Sequence, residues 1–258
     1  MVYVREVLPA MAHIYPSLPV NFQHYRFWHE QSRAFEGLSA MLSHNVTMRI
    51  GTEAEVGGAA LASASLFDVL GVQAQRGRLF RAEEEQPGKA SVAVITDGLW
   101  RRRFGGTEQI LGRMIQIGAS SFEVVGVLPS TFRFPRKDQL GPLAQLADHV
   151  DIFLPIQPRS DGWGGDYDYV VFGRLAPGAT LAQGTTELNL FEQRIAEEHK
   201  LSKGLHVTVR PLHLVRGVLF GVRETGCLVR CLGYRVGMRM DHHGSQFRAI
   251  PWPALADA

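Results

Sequence analysis

The sequence predicts an α+β fold made of two small strand–helix–strand lobes with mixed and antiparallel sheets. Three stretches carry that expectation. Ser91–Pro129 reads as a strand, a short helix and a hairpin. Tyr167–Leu212 reads as strand, helix, strand. His44–Ile50 and Glu55–Ala64 read as an antiparallel pair turning at Gly51-Thr52-Glu53.

Each element has a local reason. Pro9, Pro16 and Pro19 discourage regular structure, so residues 1–20 are expected to be an irregular lead-in. Asn21–Met41 is expected to be one amphipathic helix, with Asn21 as N-cap and Phe22, Tyr25, Trp28, Phe35 and Leu38 as its apolar stripe. Gly57, Gly58, Ala59 and Ala60 make the second strand of the following pair small, which suits close packing against another layer. Ser65–Leu70 is a short helix that Gly71 ends, and Arg81–Gly88 with Glu83-Glu84-Glu85 is expected to be an exposed acidic loop.

Val92, Val94 and Ile95 are β-branched and signal a strand. Asp97 is the expected cap of the helix that carries Leu99, Trp100 and Phe104, and Gly105-Gly106 ends it. Met114–Ile117 and Phe122–Val127 form a hairpin around Gly118–Ser121. Arg136–Asp148 is a loop, Asp151–Pro155 a short strand, and Gln157–Asp168 a glycine-rich connection. Thr180 with Gln183 three residues on is a capping box. Leu181, Leu188, Phe191 and Ile195 form the stripe of that helix, and Glu187, Glu192, Arg194 and Glu197 its expected wet side. Leu205–Leu212 is the returning strand.

At 258 residues the chain can bury a sizeable core. Its net charge of +2 is unevenly placed: residues 214–258 carry six arginines against three acids, leaving −1 for the rest. The body therefore lacks the basic excess of a nucleic-acid binder. Both cysteines, Cys227 and Cys231, lie in that final segment. No apolar run of membrane-spanning length occurs, and the first twenty residues lack a basic start followed by an uninterrupted apolar core, so neither a transmembrane helix nor a signal peptide is expected.

No motif amounts to a reaction centre. His24, His29 and Glu30 approach HExxH spacing, but His29-Glu30-Gln31-Ser32-Arg33 lacks the second histidine, so a solvated polar face is expected. Glu83-Glu84-Glu85 lacks the alternating oxygen ligands and glycine turn of a calcium loop. Cys227, Cys231, His242 and His243 fit no standard finger spacing. Gly162-Trp163-Gly164-Gly165-Asp166 is followed by no Lys-Ser/Thr, and there is no GxSxG. Asp97, Asp151, Asp166 and Asp168 are the candidate carboxylates for an acidic pair, each read more simply as a cap or turn residue. Arg101-Arg102-Arg103 could meet a phosphate or lipid headgroup, or merely end a helix favourably. No catalytic, cofactor-binding or metal-binding residue is therefore assigned, and no cofactor is expected.

The chain resembles the MacB-like periplasmic core domain of ABC transporter permease-like proteins, in particular the acidobacterial permease type. The resemblance runs through Ala34-Phe35-Glu36-Gly37-Leu38, Leu66–Val72, Gly77–Phe80, Val92–Ile95, Leu99–Gly106, Gly112-Arg113, Val124–Val127, Phe132–Pro135 and Arg174–Leu181. It covers roughly residues 21–213. It implies a MacB-type periplasmic core at 21–213, a linker at 1–20 that follows a missing transmembrane helix, and a divergent, disordered tail at 214–258. It implies a non-catalytic extracytoplasmic domain at the periplasmic face of the inner membrane, mediating partner or substrate contact and conformational coupling. The implied partners are a separate ABC ATPase, since no Walker motif is present, other permease-complex subunits and a second copy in a homodimer. No nucleic acid is implied, and membrane contact would come only through helices absent from this chain, which reads as a fragment. The alternatives are a soluble hydrolase with an acidic pair between the lobes, and a stand-alone binding module using the basic tail.

Overall fold

In a computed structural model of the chain, Val2–Val7 forms a strand, β1, in which all six residues are buried. This corrects the expected irregular lead-in. The structure describes residues 1–134, 140, 146–157, 162–201 and 203–215, together with short strands at 218–221, 237–240 and 247–250. The central part of the expected loop at Arg136–Asp148 lies outside the described residues, as do Cys227, Cys231, His242 and His243.

After β1 the order is β2 (Val20–Asn21), α1 (Phe22–Gln31), β3 (Phe35–Ile50), β4 (Glu53–Ala62), α2 (Leu66–Leu70), β5 (Arg76–Gly77), a 3-10 turn (Ala82–Glu85), β6 (Val92–Ile95) and α3 (Asp97–Phe104). The chain continues through β7 (Met114–Ile117), β8 (Ser120–Val127), β9 (Ile152–Pro155), β10 (Tyr167–Leu175), α4 (Leu181–Glu198), β11 (His206–Val215) and β12 (Val218–Gly221). Strands β1–β12 join in one sheet ordered β12-β11-β1-β10-β3-β4-β9-β6-β8-β5, with β2 on β10 and β7 bridging β3 and β8, while the strands at 237–240 and 247–250 pair only with each other. The protein is thus a mixed, sheet-dominated fold with few helices.

Both strand–helix–strand units are present as chain segments, and both feed this one sheet path. In the second, β1 lies between β10 and β11 and is antiparallel to both, with Val4 opposite Val171 and Val209. β10 and β11 are therefore parallel, and α4 is the crossover between them. In the first, β6 pairs in parallel with β8 across α3. The 16-residue β3 ties the units together, pairing with β10 along its first half and with β7 near its end.

The expected helix over Asn21–Met41 is half right. Asn21 caps α1 by accepting the N–H groups of Gln23 and His24, but the helix stops at Gln31 and Phe35 and Leu38 belong to β3. The stop has a tertiary cause. The Glu187 carboxylate of α4 accepts from the Ser32 hydroxyl and from the N–H groups of Arg33 and Ala34, which holds the chain extended there. The acidic loop is also corrected. Glu84 is buried and paired with Arg78 at 2.6 Å, inside the 3-10 turn. Thr96, not Asp97, caps α3; Asp97 follows as its first residue.

Close packing explains the small residues of β4. A Cβ on Gly58 would stand 1.7 Å from the carbonyl oxygen of His149. Core side chains gather in three main groups. Phe22, Tyr25, Trp28, Leu188 and Ile195 pack between the sheet and α1 and α4. Phe67, Phe153 and Phe172 lie beside Phe132 and Phe134. Leu99, Trp100, Ile110 and Ile115 fill the space under α3.

Candidate functional site

Three charged or titratable side chains meet in the space where β1, α1 and α4 pack together. Glu6 comes from β1, His24 from the first turn of α1 and Glu192 from α4, and all three are fully buried. Their placement is local in origin. Every residue of β1 is covered because its neighbours on both sides place it centrally in the sheet. His24 lies four residues before Trp28, on the face of α1 turned inward. Glu192 lies four residues after Leu188 and three before Ile195, so helical geometry puts it in the apolar stripe.

The geometry is tight. His24 Nδ1 stands 3.2 Å from Glu6 Oε1 and 3.4 Å from Glu192 Oε1. One ligand atom from each of the three residues falls within 4.8 Å of the others. On its other side the imidazole Nε2 is 2.9 Å from the carbonyl oxygen of Trp163. A carbonyl only accepts, so Nε2 carries the hydrogen. The Glu6 Oε1 atom also accepts the N–H of Asn21 at 3.0 Å. Glu6 Oε2, His24 Nδ1 and both oxygens of Glu192 have no hydrogen-bond partner.

The electrostatics follow from that confinement. Burial pushes the Glu6 carboxyl up, the charge of His24 pulls it back and Glu192 adds to the rise, leaving it at about 7. Burial alone would push the His24 imidazolium down; the charges of Glu6 and Glu192 outweigh it and hold the ring up to about 10. The Tyr167 ring stands edge-on to His24, 6.2 Å away, and its phenol is raised well above the usual range, by burial first and then by the two carboxylates. Trp163 covers His24 and is itself stacked under His199, with centroids 4.0 Å apart.

This cluster corrects two expectations. His24 is not on a solvated face, and Glu192 is not on the wet side of α4. His29 and Glu30 do not join it: both are exposed, with His29 Nδ1 on the Leu38 carbonyl oxygen at 3.0 Å and Glu30 facing Arg26. Glu6 carries no signal in the sequence, because its burial comes from strands far along the chain.

Of the candidate acidic residues, Asp97 and Asp151 are each held by other partners. Asp97 accepts from Gln75 and Arg101, both bonds between 2.8 and 2.9 Å. Asp151 faces Arg102 at 3.1 Å and His149 at 3.3 Å. Asp166 and Asp168 are half-buried, on the connection before β10 and at its start. The arginine run is likewise committed within the fold. Arg101 pairs with Asp97, Arg102 with Asp151 and Glu55, and Arg103 with Glu53 and Glu55. That favours the helix-end reading of Arg101-Arg102-Arg103 over a phosphate contact.

Among the described residues no helix is long and apolar enough to cross a membrane. No curated protein matches the chain in sequence. Solved structures do match in fold. The periplasmic region of MacB from Actinobacillus actinomycetemcomitans aligns with a TM-score of 0.56 at 12% identity, covering 80% of this chain and 87% of that one. A domain of a permease protein from Porphyromonas gingivalis aligns with a TM-score of 0.58 at 17% identity, covering 82% and 90%. The extracellular domain of the noncanonic ABC-type transporter YknZ from Gram-positive bacteria aligns with a TM-score of 0.55 at 14% identity, covering 80% and 99%. The family model of the MacB-like periplasmic core domain matches residues 6–189. The chain therefore belongs to the MacB-like periplasmic core domains, the domains that ABC transporter permease-type proteins place on the periplasmic side of the inner membrane.

Proposed function

We propose that this chain is a non-catalytic coupling and contact domain of an ABC-type permease complex. The family match over residues 6–189 is the observation that supports this most strongly. In this reading the two strand–helix–strand units act as lobes. The sheet through β3 is the mechanical link between them, and a separate ABC ATPase supplies the energy. A second copy of the chain is the expected homodimer partner. The commitment of Asp97 and Asp151 to their own cationic neighbours speaks against an acid pair, and so for a contact role over hydrolysis.

The test is co-purification. The natural gene product, tagged and extracted from host membranes in mild detergent, is expected to bring an ABC ATPase with it in fixed stoichiometry. A product found only in the cytosolic fraction, with no ATPase attached, overturns the proposal.

A further inference from the structure

We propose that Glu6, His24 and Glu192 form a binding site for a divalent transition-metal ion of the zinc class, with one nitrogen and two carboxylate oxygens as protein ligands. This goes beyond the permease reading and does not depend on it.

The argument starts from His24. Its Nε2–H is spent on the Trp163 carbonyl at 2.9 Å, so Nδ1 is the atom turned toward two carboxylates, and it offers a lone pair there once a metal displaces its proton. Three ligand-bearing groups then converge on one point. Such an arrangement needs a cation at that point. The candidates are protons and a metal ion.

Charge and geometry favour the metal. Two carboxylates and a neutral imidazole carry −2 in a place with no access to water, and all three residues are fully buried. A dication cancels that charge with a single ion, where protons would have to occupy two of the three groups at once. Zinc binds imidazole nitrogen and carboxylate oxygen at about 2.0–2.2 Å, so two ligands at a tetrahedral angle stand about 3.4 Å apart. The observed separations from Nδ1 are 3.2 and 3.4 Å. The remaining atoms also fit. Neither oxygen of Glu192 receives a hydrogen bond, although the side chain is fully buried and aimed at His24. The bond from Nε2 to a backbone carbonyl is the outer-shell support that fixes a ligating histidine's tautomer. The fourth position falls to a free carboxylate oxygen of Glu6 or Glu192, or to water.

The experiment uses the full chain and zinc chloride alone as the probe, with elemental analysis, calorimetric titration and thermal melting. Cobalt substitution adds a visible spectrum that reports coordination geometry. We expect one zinc per chain and the visible bands of a low-coordinate cobalt site. We also expect a melting temperature raised by roughly 5–10 °C when free metal exceeds its dissociation constant a hundredfold. Chelation should reverse that rise. Glu192→Gln should weaken binding more than about 100-fold, the upper end for losing even an outer-shell partner. Cys227→Ser with Cys231→Ser should leave binding intact, which separates this site from any affinity of the final segment. His24→Gln provides a second variant should Glu192→Gln fold poorly. Binding that survives Glu192→Gln or His24→Gln in a folded chain overturns the proposal. So does a folded chain that takes up no zinc, since protons alone then fill the site.

Discussion

Glu187 on α4 accepts the backbone N–H of Ala34 at 3.0 Å, joining residues 153 positions apart. The same carboxylate takes the N–H of Arg33 and the hydroxyl of Ser32. One side chain thus ends α1, starts β3 and fixes α4 against both. Glu187→Ala is expected to cost about 1–3 kcal/mol, because three donors lose their acceptor at once. That corresponds to a melting temperature lower by roughly 2–4 °C per kcal/mol. Thermal melts of the two proteins check this; an unchanged midpoint would mean that the clamp contributes nothing.

Gly58 tests the contact between β4 and the chain entering β9. Any Cβ there would meet the His149 carbonyl oxygen at 1.7 Å, and backbone cannot swing away as a side-chain tip can. Gly58→Ala is expected to cost about 3 kcal/mol or more, at or beyond the usual range for overpacking. Gly162→Ala, with nothing within 4 Å, is the control and should change stability little. Chemical denaturation of both variants separates these outcomes.

In the metal-free chain, removing the imidazole from the buried cluster leaves two carboxylates facing each other without its counter-charge. His24→Ala is expected to cost about 3–5 kcal/mol, the range for breaking a buried charge set. His29→Ala removes a single contact to the Leu38 carbonyl from an exposed position and should cost far less. Denaturation midpoints compare them directly. Equal losses would remove the special status of the cluster.

Acid stability reports on Glu84. Burial alone would raise this carboxyl, but the hydrogen bonds from Arg78 and from the Arg81 N–H outweigh it and hold it below its usual value. A carboxylate depressed in the folded state stabilises above its unfolded value, and that gain is lost as pH falls through the folded one. The stability gap between the wild type and Glu84→Gln should therefore be full near neutral pH and close as pH falls through and below the ordinary carboxylate range. Denaturation curves at several pH values check it; a gap that widens in acid would contradict the pairing.

Much of this fold is legible from local signals. Tyr167–Leu175, the Thr180–Gln183 box, the α2 stop at Gly71 and the hairpin after α3 all follow from residues that act within a few positions. What escapes is what distant residues decide. Phe35 and Leu38 suit a helix stripe as well as a strand, and Glu187, far along the chain, settles the choice. Val2–Val7 stands just before three closely spaced prolines and gains its strand from β10 and β11. The site is a different case. Glu192 stands at stripe spacing between Leu188 and Ile195, so its position is readable, and only the habit of placing charge outside hides it. His24 needs its partners Glu6 and Glu192 to make sense, and no spacing in the sequence joins the three.

The central claim is that this domain works on the periplasmic side of the membrane, and thiol labelling tests it most directly. Cys227 and Cys231 are the cysteines of these 258 residues, so replacing them and any further cysteine of the natural gene product with serine gives a silent background. Val56 is 71% exposed on β4 and takes a single reporter as Val56→Cys. The natural gene product carrying that cysteine, in intact spheroplasts of its host, should react with a membrane-impermeant maleimide to the same extent as after lysis. Labelling that appears only after lysis would place the domain in the cytoplasm and contradict the account.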